Sequence, residues 1–335
     1  MFLRDEWYLA AFARELGDKP FQRTICAEPL ALFRTASGKA AALADRCPHR
    51  GAPLSTGEVH GETLACGYHG FVFDTAGLCV GIPGSAVIPP KTCVRSFPVV
   101  ERWGCIFVWM GKAERADEAR LPDFRWLTEP GWAGGSEYLH VKANYALVRD
   151  NLLDLTHARF VHKQTLATTG VTEYPLTSDV EGRRVRVTRE MPGIEPSPFF
   201  KRVPGFKGNV DHRQRIDFYP PCYVLINTVV QSVPEMNDDR VAEFYVLNAL
   251  VPETETSTHY FWGLMRKFAV DDQDLTQLQL KLNRETFQED VDLLEKQQVL
   301  LSAAPPDWSP ISIPADAGCV QADRMMKKLF AAEDY

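Results

Sequence analysis

Two short stretches of the chain each offer one thiolate and one imidazole: Cys47-Pro48-His49 and, with sixteen residues between, Cys66-Gly67-Tyr68-His69. The alternating order is informative. A zinc finger with two cysteines and two histidines has its cysteine pair first and its histidine pair later, whereas here each arm carries one of each. That arrangement fits a two-iron, two-sulfur centre in which two cysteines hold one iron and two histidines the other, which raises the reduction potential above that of an all-cysteine site. A structural zinc site with odd spacing is the alternative. Gly51, Gly67 and Gly70 supply backbone freedom where two loops must fold over sulfur atoms. Pro48 and Pro53 stiffen the first loop.

A second chemical pattern lies in NYALVRDNLLDLTHARFVH. Asn151, Asp154 and His157 are three residues apart and fall close to one face of a helix. His162 lies five beyond His157, one more than a regular helix needs to align two ligands, so the helix should end or widen near Arg159 and Phe160. Two histidines this close need one carboxylate from elsewhere to form the facial triad of non-haem Fe(II) oxygenases. Two satisfied histidines near a helix end are the plainer explanation of the pair taken alone. Residues 271–302 read as one long amphipathic helix with acidic residues at its N-terminus. Its apolar stripe takes in Leu280, Phe287, Val291 and Leu294, and Asp290 sits within that stripe, where a carboxylate needs a cation. By helical phase alone Asp290 is the third ligand, with Glu289 and Asp292 as competitors.

The elements that position these residues fall into two groups. Residues 1 to about 110 read as short strands and turns: EPLALFRT and KAAALAD form a hairpin about Ser37-Gly38, and FPVVE and CIFVWM form another about residues 102–104. The two ligand loops lie between the hairpins. Residues 111–135, rich in charge, Pro and Gly, read as a linker whose aromatic residues imply a packed crossing. EYLHVKAN follows as a strand, and five further segments between 172 and 266 have the length and β-branched or aromatic content of an antiparallel sheet. Asn227 and Asn248 interrupt apolar faces of two of these strands and must find partners, either a substrate or a neighbouring loop. The stretch 163–174 has no reading beyond a lid near the second site, and DRMMKKLFAAEDY reads as a final packing helix.

At 335 residues, with 45% apolar and 24% charged residues, the chain is long enough for two domains, each with its own core. A net charge of −7 argues against nucleic acid or an anionic membrane as partner. The charged N-terminal stretch fits neither a signal peptide nor a membrane span. Eight scattered cysteines are too sparse for a disulfide scaffold, which points to a reducing cytoplasm.

Together the motifs CPHRGAPLSTG, CGYHG, NLLDLTHARFVH, TETSTHYFWG, QEDVDLLEKQQ and DAGCVQADR resemble, over essentially the whole chain, the oxygenase components of Rieske non-haem iron aromatic oxygenases. The resemblance is to the short group that includes vanillate O-demethylase and dicamba monooxygenase. It implies an α+β protein with an all-β Rieske domain (residues 1–115) and a helix-grip catalytic domain (residues 116–335). It assigns a [2Fe-2S] cluster to Cys47, His49, Cys66 and His69, and a mononuclear iron to His157, His162 and Asp290, which settles the choice left open by phase. It also implies a head-to-tail homotrimer in which the Asp154 carboxylate bridges His157 and the neighbouring subunit's cluster histidine. Asn151 would lie just behind the iron ligands, and Asn227 and Asn248 fall where dicamba-type members contact substrate. Lacking a dinucleotide or flavin motif, the chain should draw electrons from a separate NADH-dependent flavin and iron-sulfur reductase. With dioxygen it should oxidise an aromatic acid, by O-demethylation of a methoxybenzoate. Aryl-methyl hydroxylation or ring dihydroxylation is the alternative, and a Rieske electron carrier is a remoter one, since a carrier needs only about the first 110 residues.

Overall fold

The computed structural model describes residues 1–236 and 238–333. The chain divides into two compact units, Met1–Pro122 together with the short piece Val251–Thr254, and Asp123–Leu250 together with the chain from Glu255 onward.

The first unit is built from three small antiparallel sheets. Trp7–Phe12, Cys105–Trp109 and Val99–Arg102 form one, and Phe21–Ile25, Glu28–Arg34, Ala40–Ala44 and Ser96–Phe97 the second. Both expected hairpins are present, with Arg34 paired to Ala40 and Arg102 to Cys105. The third sheet, Glu58–His60, Thr63–Ala65, Val72–Asp74 and Cys79–Gly81, has strands of only three residues. Such short strands are stable because they close over a shared apolar cluster in which Phe33, Leu43, Leu54, Leu64 and Phe73 are fully buried with Cys47 and Cys66. The core of this unit therefore runs directly beneath the two ligand loops.

The second unit is a seven-stranded antiparallel sheet. In spatial order its strands are Ala133–Val141, Ser257–Arg266, Val241–Thr254, Tyr223–Ser232, Val210–Tyr219, Arg184–Ile194 and Leu176–Glu181. The aromatic residues expected in the linker pack onto this sheet, Phe124 against Tyr223 and Trp126 and Trp132 against Tyr245. The long helix Gln273–Ser302 begins where the Asp272 side chain accepts the Leu275 N–H, satisfying one of the free donors of the first turn. Its buried positions include Gln279, Leu282, Asn283, Thr286, Phe287, Asp290, Val291 and Leu294, a stripe at three- and four-residue spacing. Phe287 meets the rings of Tyr260 and Trp262 on the sheet. Leu280, expected in this stripe, is only partly buried. Ala317–Ala332 is the last helix.

One expectation is corrected. The helix Tyr145–Leu153 stops before Asp154, which is extended (φ −121°, ψ 96°), and Leu155–Arg159 follow as a 3-10 helix. Asn151, Asp154 and His157 therefore do not share one helical face. The Asp154 carboxylate accepts the Thr156 N–H at 2.9 Å, so this side chain starts the tighter helix instead of continuing the first.

Candidate metal centres

The two arms of the first unit fold as near copies of one another. The Cys47 N–H donates to the Ala52 carbonyl and the Gly51 N–H to the Cys47 carbonyl; likewise the Cys66 N–H donates to the Phe71 carbonyl and the Gly70 N–H to the Cys66 carbonyl. The closing glycine of each has a left-handed backbone, φ +70° at Gly51 and +69° at Gly70, which a side chain would strain. Gly67 is required for a different reason, since a Cβ there would stand 2.6 Å from the Thr56 carbonyl oxygen. The cysteines are buried, 2% and 3% exposed, and both histidines lie at the surface. The His49 and His69 rings approach to 4.6 Å between centroids, with Phe71 stacked on His49.

This donor set does not fit one tetrahedral ion. Zn–S and Zn–N bonds of about 2.3 and 2.1 Å put all four ligands under about 4 Å apart. Among the described residues, no three of these four donors lie within 4.8 Å of one another. A two-metal cluster with a sulfur-ligated inner iron and an imidazole-ligated outer iron does fit. Desolvation, then His69 and Arg50, hold the His49 imidazole below its usual pKa, which favours the neutral ring that ligates a metal. Burial, opposed by the His49 backbone N–H and reinforced by the Cys66 thiol, pushes the Cys47 thiol up.

In the second unit, the ligand atoms of His157, His162 and Asp290 converge within 4.8 Å. Asp290 Oδ1 lies 3.4 Å from His157 Nε2 and 3.2 Å from His162 Nε2. Ligands about 2.1 Å from one ion at right angles stand about 3 Å apart, so the set fits a facial triad. The other ring nitrogens are already occupied. His157 Nδ1 donates to the Asp154 backbone carbonyl at 2.8 Å, and His162 Nδ1 lies 2.8 Å from Glu289 Oε2. These partners leave both Nε2 atoms facing the same point. Burial raises the Asp290 carboxyl, yet the hydrogen bonds and charges of His157 and His162 outweigh it and hold the group down at about 2. Burial lowers the His162 imidazole, and Asp290 and Glu289 more than reverse this.

Several side chains fall differently from the sequence reading. It is the carbonyl of Asp154, rather than its carboxylate, that holds His157; the carboxylate accepts from Thr156 and lies 3.9 Å from the Arg189 guanidinium. Glu289 stands behind His162, a role that spacing could not reveal because it depends on which ring nitrogen faces the helix. Asp292 is exposed and accepts from Gln288. Asn151 does lie beside the triad, its Nδ2 donating to Asp290 Oδ1 at 3.2 Å.

Residues 6–98 match the family model of the Rieske [2Fe-2S] domain, and residues 141–332 that of the vanillate O-demethylase oxygenase C-terminal domain. The chain is 37% identical to the vanillate O-demethylase oxygenase subunit of Pseudomonas sp. (strain HR199 / DSM 7063), covering 99% of this chain and 96% of that protein. It belongs to the Rieske oxygenase family. A toluene-4-sulfonate monooxygenase system iron-sulfur subunit of Comamonas testosteroni is 36% identical, over 100% of this chain and 99% of that protein. The crystal structure of dicamba monooxygenase bound to 3,6-dichlorosalicylic acid superposes with a TM-score of 0.93 at 33% identity, covering 99% of both chains. The α+β architecture of this Rieske oxygenase is that of the dicamba enzyme.

Beside the triad, the oxygenase has a cavity of about 110 Å³, several times the ~10–15 Å³ that one water needs. One wall is the sheet, where Gln214 pairs with Thr228 and Thr228 with Phe244, and the next row pairs Ile226 with Val246. The opposing wall is the long helix through Asn283, Thr286, Phe287 and Asp290. The stretch that carried no reading of its own, 163–174, contributes Leu166, Thr168 and Val171 to the lining. Asn227 and Asn248 do not line this cavity. Asn227 alternates away from Ile226 and Thr228 and donates to Glu243 and to the Phe244 carbonyl. Asn248 donates to the Val224 carbonyl and accepts the Tyr260 hydroxyl at 2.7 Å.

Proposed function

We propose that this chain is the terminal oxygenase of a multicomponent monooxygenase that oxidises an aromatic acid, most simply by O-demethylation of a methoxybenzoate. The observation that carries the reading is the convergence of His157, His162 and Asp290 on one side of a largely apolar cavity. In this reading the cluster would be held by Cys47, His49, Cys66 and His69 in an N-terminal domain of residues 1–115, and the mononuclear iron by the triad in a catalytic domain of residues 116–335. When bound, the cluster relays single electrons and the iron activates dioxygen for insertion into a C–H bond.

The chain's own part is placement. Asp154 and Glu289 fix the ring nitrogens of the two histidines, and the apolar walls exclude water and hold the reacting C–H bond toward the triad. Two electrons from NADH, two protons and one dioxygen convert a methoxy group to a hydroxymethyl ether and water, and the ether then collapses to a phenol and formaldehyde. The electrons would come through a separate flavin and iron-sulfur reductase. The six cysteines outside the cluster, none of them in a disulfide, support a cytoplasmic setting. The surface position of His69 and the half-buried Asp154 are compatible with a homotrimer in which one subunit's cluster serves the next subunit's iron.

The test is NADH-dependent formaldehyde release from a panel of methoxybenzoates with a surrogate reductase. Formaldehyde in step with phenol supports demethylation; oxidation with no formaldehyde rejects it. The relation to a toluene-4-sulfonate monooxygenase subunit favours aryl-methyl hydroxylation as a second reading, in which a methylarene substrate yields a benzylic alcohol that keeps its carbon.

A further inference from the structure

Among the described residues lining the cavity, His212 Nε2, Gln214 Oε1 and Asn283 Nδ2 are buried and have no hydrogen-bond partner in the protein. His212 is 4% exposed and Asn283 9%. They come from opposite walls, His212 from the strand Val210–Tyr219 and Asn283 from the long helix, seven residues before Asp290. That interval is two helical turns, about 10 Å, the reach of one benzene ring with a substituent at each end. A purely apolar ligand would leave both groups unsatisfied, whereas one with acceptor substituents would satisfy them.

Gln214 Oε1, which also faces a second space, and the nearby unpartnered Arg189 Nε have a simpler resolution. Arg189 Nε and Gln214 Oε1 sit on paired residues of adjacent strands, and both residues line a separate space of about 10 Å³, on the order of one water. His212 and Asn283 do not line that space.

We propose that His212 is the residue that recognises the acid group of the substrate, with Asn283 as a second polar anchor on the facing helix. This rests on the aromatic-acid reading of the cavity. His212 and Gln214 lie two apart on one strand and so share a face, and Arg189 is the cross-strand partner of Gln214. The Arg189 guanidinium is buried, and its contact with Asp154 is long, at 3.9 Å. Its positive charge, only partly offset by Asp154, reaches His212, where it joins burial in keeping the ring neutral. A neutral ring with its proton on Nε2 donates one hydrogen bond in a region of positive potential, an environment suited to a carboxylate. Asn283 Nδ2 can only donate, so it selects an acceptor such as a phenolic or ether oxygen. At the opposite end of the substrate, the group to be oxidised faces the triad.

The experiment compares 4-methoxybenzoate, its uncharged analogue 4-methoxybenzamide and the apolar 4-methoxytoluene in the loaded enzyme with a surrogate reductase. The variants are His212→Phe, His212→Gln and Asn283→Leu, with the visible spectrum of the cluster checking that each has folded. His212→Phe should raise KM for the benzoate about tenfold or more, leave kcat within a few-fold, and leave KM for the toluene unchanged. His212→Gln, which keeps a donor, should recover part of the loss. Asn283→Leu should erase the preference for a 3-hydroxy-4-methoxybenzoate over 4-methoxybenzoate. Equal shifts of benzoate and toluene KM in His212→Phe would overturn the inference while the aromatic-acid reading stands. If the unaltered enzyme oxidises no methoxyarene, that reading fails and the inference fails with it.

Discussion

His157 and His162 owe their common orientation to partners on the rings' far side, one a backbone carbonyl and one a carboxylate. Glu289→Gln weakens the hold on His162 without touching a donor atom, and the expected loss is about 10–100-fold in iron affinity. Titration of the metal-free protein with Fe(II) measures it, and unchanged affinity would show that Glu289 does not orient His162. At the cavity, burial and then the Arg189 charge depress His212 to about 3. A histidine with a depressed folded pKa contributes full stability above its unfolded value near 6.5 and loses it as pH falls toward 3. Lowering the pH from 7.5 to 5 should therefore cost about 2 kcal/mol through this group. His212→Gln should flatten the dependence in denaturant unfolding at the two pH values. Both sets of candidate metal donors stood out in the sequence because metal chemistry restricts residue type and spacing, and the structure brings His157, His162 and Asp290 together. Asn227 misled because its strand is buried on both faces, so an apolar surround did not mark the cavity wall, and Asn248, on the same face as Phe244 and Val246, lies beyond the cavity and is bonded to Val224 and Tyr260. His212 and Asn283 carried no signal at all, since only the folded structure shows which buried polar atoms lack partners.

At the scale of elements, loop closure and helix starts carry the site. Gly67→Ala forces a Cβ against the Thr56 carbonyl, whereas Gly51→Ala meets no atom within 4 Å and incurs only backbone strain, about 1–2 kcal/mol. Acid-labile sulfide per chain should therefore fall much further in Gly67→Ala than in Gly51→Ala; equal losses would contradict the close-packing argument. The long helix was legible from its period and acidic start, and Asp290 fell within its buried stripe as phase predicts. Asp272→Ala removes its cap and should lower stability by about 1 kcal/mol, read as a drop of a few degrees in Tm with kcat unchanged. The break after Leu153 was not legible. The sequence pattern continues with helical spacing through His157, and the local competition of the Asp154 side chain for the Thr156 N–H decides against it.

At the scale of the molecule, alternating short strands followed by longer strands and a long helix announced an α+β chain with two cores, and the structure has that character. The division of labour follows from which residues each unit gathers: two buried thiols with two surface imidazoles in one, and two imidazoles with a buried carboxylate beside a cavity in the other. No helix among the described residues is long and apolar enough to cross a membrane.

Iron and acid-labile sulfide counted per chain, with the visible and electron paramagnetic resonance spectra of the same samples, test this division most directly. The unaltered protein should contain iron and sulfide in a ratio of about three to two. His157→Ala should lose about one iron, keep its sulfide and cluster spectrum, and make no product. Zinc in place of iron, or a His157→Ala protein that lost its sulfide or kept its oxygenation, would contradict the account.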